Sequence, residues 1–140
     1  MKIFSSLVMT LIALSLFTGC QNKKIDVPVQ TSALQSVYFD YDMDIIRSDA
    51  VPVMQGNAGY INQHGDLQVT IEGHCDNRGS NEYNLALGHR RAQSAANYLM
   101  NLGVDGGRLR IVSFGEERPV CQYDNEDCWQ RNRRADFRKQ

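Results

Sequence analysis

Hydrophobic and polar positions alternate along this chain with two periods, and the switches between them predict its elements. Val37, Phe39 and Tyr41 alternate with Tyr38, Asp40 and Asp42, a period of two that predicts a first strand. From Asp49 onward, Val51, Met54, Ala58 and Ile61 recur at three- and four-residue steps, which predicts a helix. Pro52 is compatible with it because the amide donors of a first helical turn are unpaired anyway. After a turn around Gly65, Leu67, Val69 and Ile71 alternate with Gln68, Thr70 and Glu72 in the clearest strand of the chain. A turn at Asn77-Arg78-Gly79 precedes a long helix that starts near Asn84 and ends at Gly103. Its apolar face runs through Leu85, Gly88, Ala92, Ala95, Ala96, Leu99 and Leu102, and such small residues imply close approach to a sheet. Leu109 to Phe114 reads as a third strand and Ala135 to Arg138 as a short fourth. This order predicts an α/β (α+β) sandwich, a sheet of about four strands with helices packed on one face.

The N-terminus follows a different pattern. Met1-Lys2 precedes an uncharged, largely apolar run from Ile3 to Phe17, shorter than the about 20 residues that span a bilayer. A charged start, a short apolar stretch and then small residues make a secretory signal. Leu16-Phe17-Thr18-Gly19-Cys20 resembles a bacterial lipobox, in which the cysteine is lipidated and becomes the first residue. The expected organisation is a signal peptide over 1–19, the lipidated Cys20 and a tether over 20–34, and one domain over 35–140. Several acyl chains on one cysteine would hold the chain on a membrane, since each buried CH₂ contributes about 0.8 kcal/mol. In the lipoproteins it resembles, Gln21 in place of an aspartate favours the outer membrane over the inner.

Composition narrows the function. With 15 Lys+Arg against 16 Asp+Glu in 140 residues, the net charge of −1 lacks the cationic excess that binding nucleic acid demands. An exported chain meets conditions in which disulfides persist. Cys121 and Cys128 close a short segment and form the expected pair, which leaves Cys75 as a small buried or half-buried residue.

One stretch is too polar for packing alone: Gly73-His74-Cys75-Asp76-Asn77-Arg78-Gly79-Ser80, followed by Asn84-Leu85-Ala86-Leu87-Gly88-His89-Arg90-Arg91-Ala92. Asp76 falls just past a strand end, where ligands bind in α/β sheets, and Arg91 lies on the next helix. Side by side, a carboxylate and a guanidinium form a receptor for a zwitterion, Asp76 taking an ammonium and Arg91 a carboxylate through its planar fork. The other reading of the same two residues is a structural ion pair. His74, Cys75, Asp76 and His89 suggest a metal or thiol enzyme only weakly, because zinc sites need three or four convergent ligands. His74 is expected to hydrogen-bond to backbone at a strand end, and no cofactor is implied. Tyr38, Tyr41 and Trp129 read either as interface anchors or as residues packed over a sheet edge.

The segments VYFDYD with IIRSDA, then EGHCDNRGSNEYNLALGHRRA, IVSFGEERP and NRRA, span Val37 to Arg134 in order. Together they resemble the OmpA-like peptidoglycan-binding domain, closest to its lipid-anchored branch in the Tol–Pal system. The resemblance implies a mixed sheet and a noncovalent grip on peptidoglycan through the diaminopimelate of its stem peptide. It assigns the ammonium to Asp76 and the carboxylate to Arg91. Phe39 and Asp40 would border the pocket, with Asn84 and Leu87 at the start of the long helix and Arg133 as a further wall contact. Gly79 would serve the turn and not the ligand. The implied partners are peptidoglycan, the outer membrane through the lipid anchor, and Tol-system or other envelope proteins. The implied location is the outer membrane with the domain facing the periplasm. Cys75 replaces the usual threonine or alanine, and the tether is shorter than in the best-known lipoproteins of the family. The alternative function is a structural lipoprotein subunit of a larger envelope assembly, acting through protein contacts. On the zwitterion reading, Asp76→Ala or Arg91→Ala abolishes wall binding with little loss of folding.

Overall fold

The computed structural model describes residues 34–140. The expected signal peptide, the lipidation site at Cys20 and nearly all of the tether lie outside the described residues.

Four strands and three helices follow one another as β1 (Val37–Tyr38), α1 (Val51–Gln63), β2 (Val69–His74), α2 (Asn81–Asn101), β3 (Leu109–Gly115), α3 (Glu126–Asn132) and β4 (Arg134–Lys139). The sheet order is β1-β4-β2-β3. β2 and β3 run parallel, with α2 supplying the crossover that a parallel pair requires, and β4 pairs antiparallel with β1 and β2. The sheet is therefore mixed, as expected. Val69 and Ile71 of β2 and Ala135 and Phe137 of β4 point to one face, where they meet Met54, Ile61, Ala92, Ala95 and Leu99 of α1 and α2. Glu72 and Asp136, paired across β2 and β4, belong to the other face by the two-residue alternation. Among the described residues no helix is long and apolar enough to cross a membrane.

Local chemistry explains the boundaries. Ser80 caps α2, its hydroxyl accepting from the Tyr83 amide at 3.2 Å, so the helix begins one turn before the expected Asn84. At its other end Gly103 adopts φ +89°, where a side chain is strained. A short 3₁₀ turn, Ser48–Ala50, precedes α1 and delays its start past Asp49. β1 is shorter than the alternation suggests. The Phe39 amide still donates to the Arg133 carbonyl at 2.9 Å, but beyond it two arginines take the Phe39 and Asp40 carbonyls, and Asp42 at φ 57° turns the chain away. Tyr41 consequently lies exposed. α3 was not expected from the sequence, for only Cys128 and Asn132 among its seven residues are buried.

A close approach of α2 to β2 at two glycines sets the geometry of the site. A Cβ on Gly73 would lie 1.8 Å from the Gly88 carbonyl oxygen, so only glycine lets α2 settle this deeply against the end of β2. That contact brings the residues after β2 up to the first turns of α2. Cys121 and Cys128 form the expected disulfide, with Cα atoms 5.3 Å apart, and it ties α3 to the loop before it.

Candidate functional site

β2 ends at His74, and the chain turns through Asp76 to Gly79, with Gly79 at φ +107°, before entering α2. The cleft between this turn, α2 and the loop after β1 is a pocket of about 230 Å³. Tyr41, Asp42, Cys75, Asp76, Arg78, Gly79, Tyr83, Asn84, Leu87 and Arg91 line it. Asp76, Asn84, Leu87 and Arg91 thus come together as the sequence suggested, without a hydrogen bond or ion pair between Asp76 and Arg91.

Arg91 is wholly buried. Its Nε donates to the Met43 carbonyl at 2.8 Å, Nη1 to the His74 carbonyl at 2.8 Å and to Cys75 Sγ at 3.4 Å, and Nη2 to the Asp40 carbonyl at 3.2 Å. Four of the five N–H groups of a guanidinium are therefore committed to this protein, leaving one on Nη2 among the described residues. The open fork expected from the sequence is instead a clamp holding the loop after β1 against the end of β2. Burial lowers the Arg91 pKa from its ordinary value, with Cys75 and Asp76 acting against that shift.

Asp76 is buried and fully engaged. Oδ1 accepts from the Arg78 amide at 3.1 Å and from Arg78 Nε at 3.2 Å. Oδ2 accepts from Arg78 Nη2 at 2.7 Å and from Arg133 Nη1 at 3.3 Å. Burial pushes the carboxyl up, and the hydrogen bonds from Arg78 and Arg133 outweigh it, holding the pKa below the usual carboxylate range. Asn84 Nδ2 donates to the Asp76 and Arg78 carbonyls at 3.2 Å each, fixing the turn to the helix start.

Phe39, Asp40 and Arg133 support the pocket without lining it. The Phe39 ring is buried below Arg91, its centroid 5.3 Å from the guanidinium carbon, and its carbonyl accepts from Arg133 Nε at 3.1 Å. Asp40 turns its carboxylate outward to Arg47 at 2.7 Å. Arg133 lies behind Asp76, held also by Glu126 and Gln130. Gly79 both makes the turn and faces the pocket. Sequence reasoning missed Arg78, whose guanidinium carbon lies 4.1 Å from the ring centroids of both Tyr41 and Trp129. An arginine two places after a strand-end aspartate was the available signal.

Cys75 is a buried free thiol, donating to the Asn84 carbonyl at 3.3 Å. Burial pushes its pKa up to about 11 against the pull of Arg91, so it is a neutral filler and not a thiolate. His74 corrects its expectation. Its ring makes no hydrogen bond to backbone, and neither nitrogen has a hydrogen-bond partner among the described residues. Nε2 instead lies 3.8 Å from Glu72 and 3.7 Å from Asp136. His89 is exposed on α2, so these histidines do not converge with Asp76 on a metal centre.

Residues 38–133 match the model of the OmpA family. A peptidoglycan-associated lipoprotein of Mesorhizobium japonicum is 46% identical over 99 residues, covering 71% of this chain and 59% of that protein. This chain thus spans about three fifths of that relative's length. A protein of the same name from Pseudomonas putida is 37% identical over 122 residues, covering 87% of this chain and 73% of its own. The crystal structure of the peptidoglycan-associated lipoprotein from Burkholderia pseudomallei superimposes with a TM-score of 0.74 at 40% identity, covering 76% of this chain and 90% of that one.

Proposed function

This chain belongs to the OmpA family, and from that premise we propose that it is a lipid-anchored binding module that ties the outer membrane to peptidoglycan. The domain faces the periplasm and grips the wall noncovalently through the diaminopimelate of the stem peptide. The ligand's ammonium goes to Asp76, and its carboxylate goes to the remaining N–H of Arg91. Cys20 carries the lipid at the other end, and the Tol system is the candidate protein partner. No bond is made or broken. Retention comes from many copies near the wall, where high effective concentration makes rebinding fast.

One observation carries this reading: a single pocket presents both a carboxylate and a guanidinium, the two charges a zwitterion needs. The comparisons support it by name, since the relatives are peptidoglycan-associated lipoproteins. The test is co-sedimentation of the full chain, kept soluble in detergent, with purified sacculi. Asp76→Asn is the informative variant, because it removes the charge and keeps the shape, whereas alanine would also leave Arg78 and Arg133 Nη1 without their shared acceptor. It should weaken binding by about tenfold or more, the worth of a charge-assisted hydrogen bond, and free diaminopimelate should compete with wild type. Undiminished sedimentation of folded Asp76→Asn would remove this pocket from wall binding.

A further inference from the structure

Resting on the zwitterion reading above, the geometry poses a problem that Arg78 resolves. A carboxylate offers about four lone-pair sites. All four of Asp76 are filled, by the Arg78 amide, Arg78 Nε, Arg78 Nη2 and Arg133 Nη1. An incoming ammonium reaches Asp76 only by taking a site from one of these donors.

They are not equally movable. The Arg78 amide is fixed by the turn. The Arg133 side chain is 3% exposed and is held as well by Phe39, Glu126 and Gln130. The Arg78 side chain is 30% exposed and lines the pocket. It has somewhere to go, since Nη2 lies 3.7 Å from Oε2 of Glu126, whose other oxygen is already taken by Arg133. Its guanidinium carbon lies over the rings of both Tyr41 and Trp129, contacts that have no fixed hydrogen-bond geometry and that a short slide across the ring faces would keep.

We infer that Arg78 is a specificity-determining residue that competes with the ligand's ammonium for Asp76, and that on binding its guanidinium shifts across the Tyr41 and Trp129 ring faces to pair with Glu126. The site thereby selects a free, charged amine. An acylated amine carries no charge with which to replace the guanidinium, and Arg78 keeps Asp76.

Trp129 is the sole tryptophan of the chain and stacks on the moving group, so its emission reports the exchange. The full chain in detergent is titrated with free diaminopimelate, with affinity read by calorimetry and Trp129 emission in parallel. Wild type should show an emission change that saturates with binding. Arg78→Met, which keeps a long side chain there without charge, should bind about fivefold tighter, the worth of one solvent-screened ion pair, and lose the emission change. Glu126→Gln should weaken wild type by a similar or smaller factor and leave Arg78→Met unaffected, a non-additivity expected only if the two residues act through one exchange. Weaker binding by folded Arg78→Met, with Asp76→Asn still defective, overturns the exchange and leaves the zwitterion reading standing. Binding without an emission change in wild type does the same. Binding by Arg78→Met alone supports the exchange, and no binding by either overturns both readings.

Discussion

Removing Arg91 should cost this domain a substantial part of its margin of stability, contrary to the expectation that Arg91→Ala brings little loss of folding. The side chain is wholly buried and donates to the carbonyls of Asp40, Met43 and His74. A hydrogen bond from a charged donor contributes about 1.5–3 kcal/mol, and an unpartnered buried carbonyl costs about 1–3 kcal/mol. Water entering from the adjoining pocket would satisfy some of these groups, which favours the lower end of the sum. About 3–5 kcal/mol is the expected loss, against a total of about 5–15 kcal/mol for a domain. Urea denaturation followed by circular dichroism measures it. With a slope of about 1–3 kcal/mol per molar, the midpoint should fall by roughly 2 M. Arg91→Lys keeps the charge and reaches fewer carbonyls, so it should lie between the two. Hydrogen exchange supplies the local readout, with amides from Asp40 to Asp44 losing protection first. An Arg91→Ala protein within about 1 kcal/mol of wild type, with that loop still protected, would refute the clamp.

Two further perturbations test the frame around the pocket. Burial, reinforced by Arg134, pushes the His74 pKa down from 6.5 to about 4, with Asp136 opposing. Between those values the unfolded chain takes up a proton that folded His74 refuses. Stability should therefore be unaffected above pH 6.5 and fall by about 3 kcal/mol as pH drops to about 4. His74→Gln should flatten this slope in urea titrations run across the window, and identical slopes would exclude His74 as its source. Gly73→Ala sets a Cβ against the Gly88 backbone oxygen, which no side-chain rotation relieves, and should cost about 3 kcal/mol or more while displacing the start of α2. Gly88→Ala meets chiefly the Ser113 hydroxyl at 2.4 Å and should be milder by thermal denaturation; the reverse order would contradict the packing described.

The fold was legible in the sequence wherever burial imposes a period. β2 and β4 alternate because one sheet face is covered, and the small residues of α2 record its approach to the sheet. α3 left no such record: its seven residues bury one cysteine and one asparagine, and only Asn125, which caps Cys128 at 3.0 Å, marked its start. The alternation through Tyr41 misled because Arg91 and Arg133, far away in sequence, take the carbonyls that would have continued β1. Asp76 and Arg91 were legible as neighbours, from a strand end and the helix after it, and the family resemblance added Asn84 and Leu87. Their partners were not. Arg91 stands four residues after Leu87 and three after Gly88, a position on the buried face that foretold a clamp more than an open hand. Arg78 escaped notice because its role depends on Tyr41, Trp129 and Glu126, which only the folded chain assembles.

The two-residue strand β1 also determines how the domain responds to mechanical load. A pull on the chain ahead of Val37 is borne by contacts that include the packing of Leu34 on the core, the paired hydrogen bonds of Gln35 with Asn57 at 2.9 and 2.8 Å, Ser36 to Asp136 at 2.6 Å, and the short ladder to β4. The residues next in line, Phe39 to Asp44, are those that Arg91 and Arg133 pin beside the pocket. Tension that strips β1 from its neighbour therefore passes straight into the pocket wall. Load applied at this end should therefore open the pocket before it unravels the sheet.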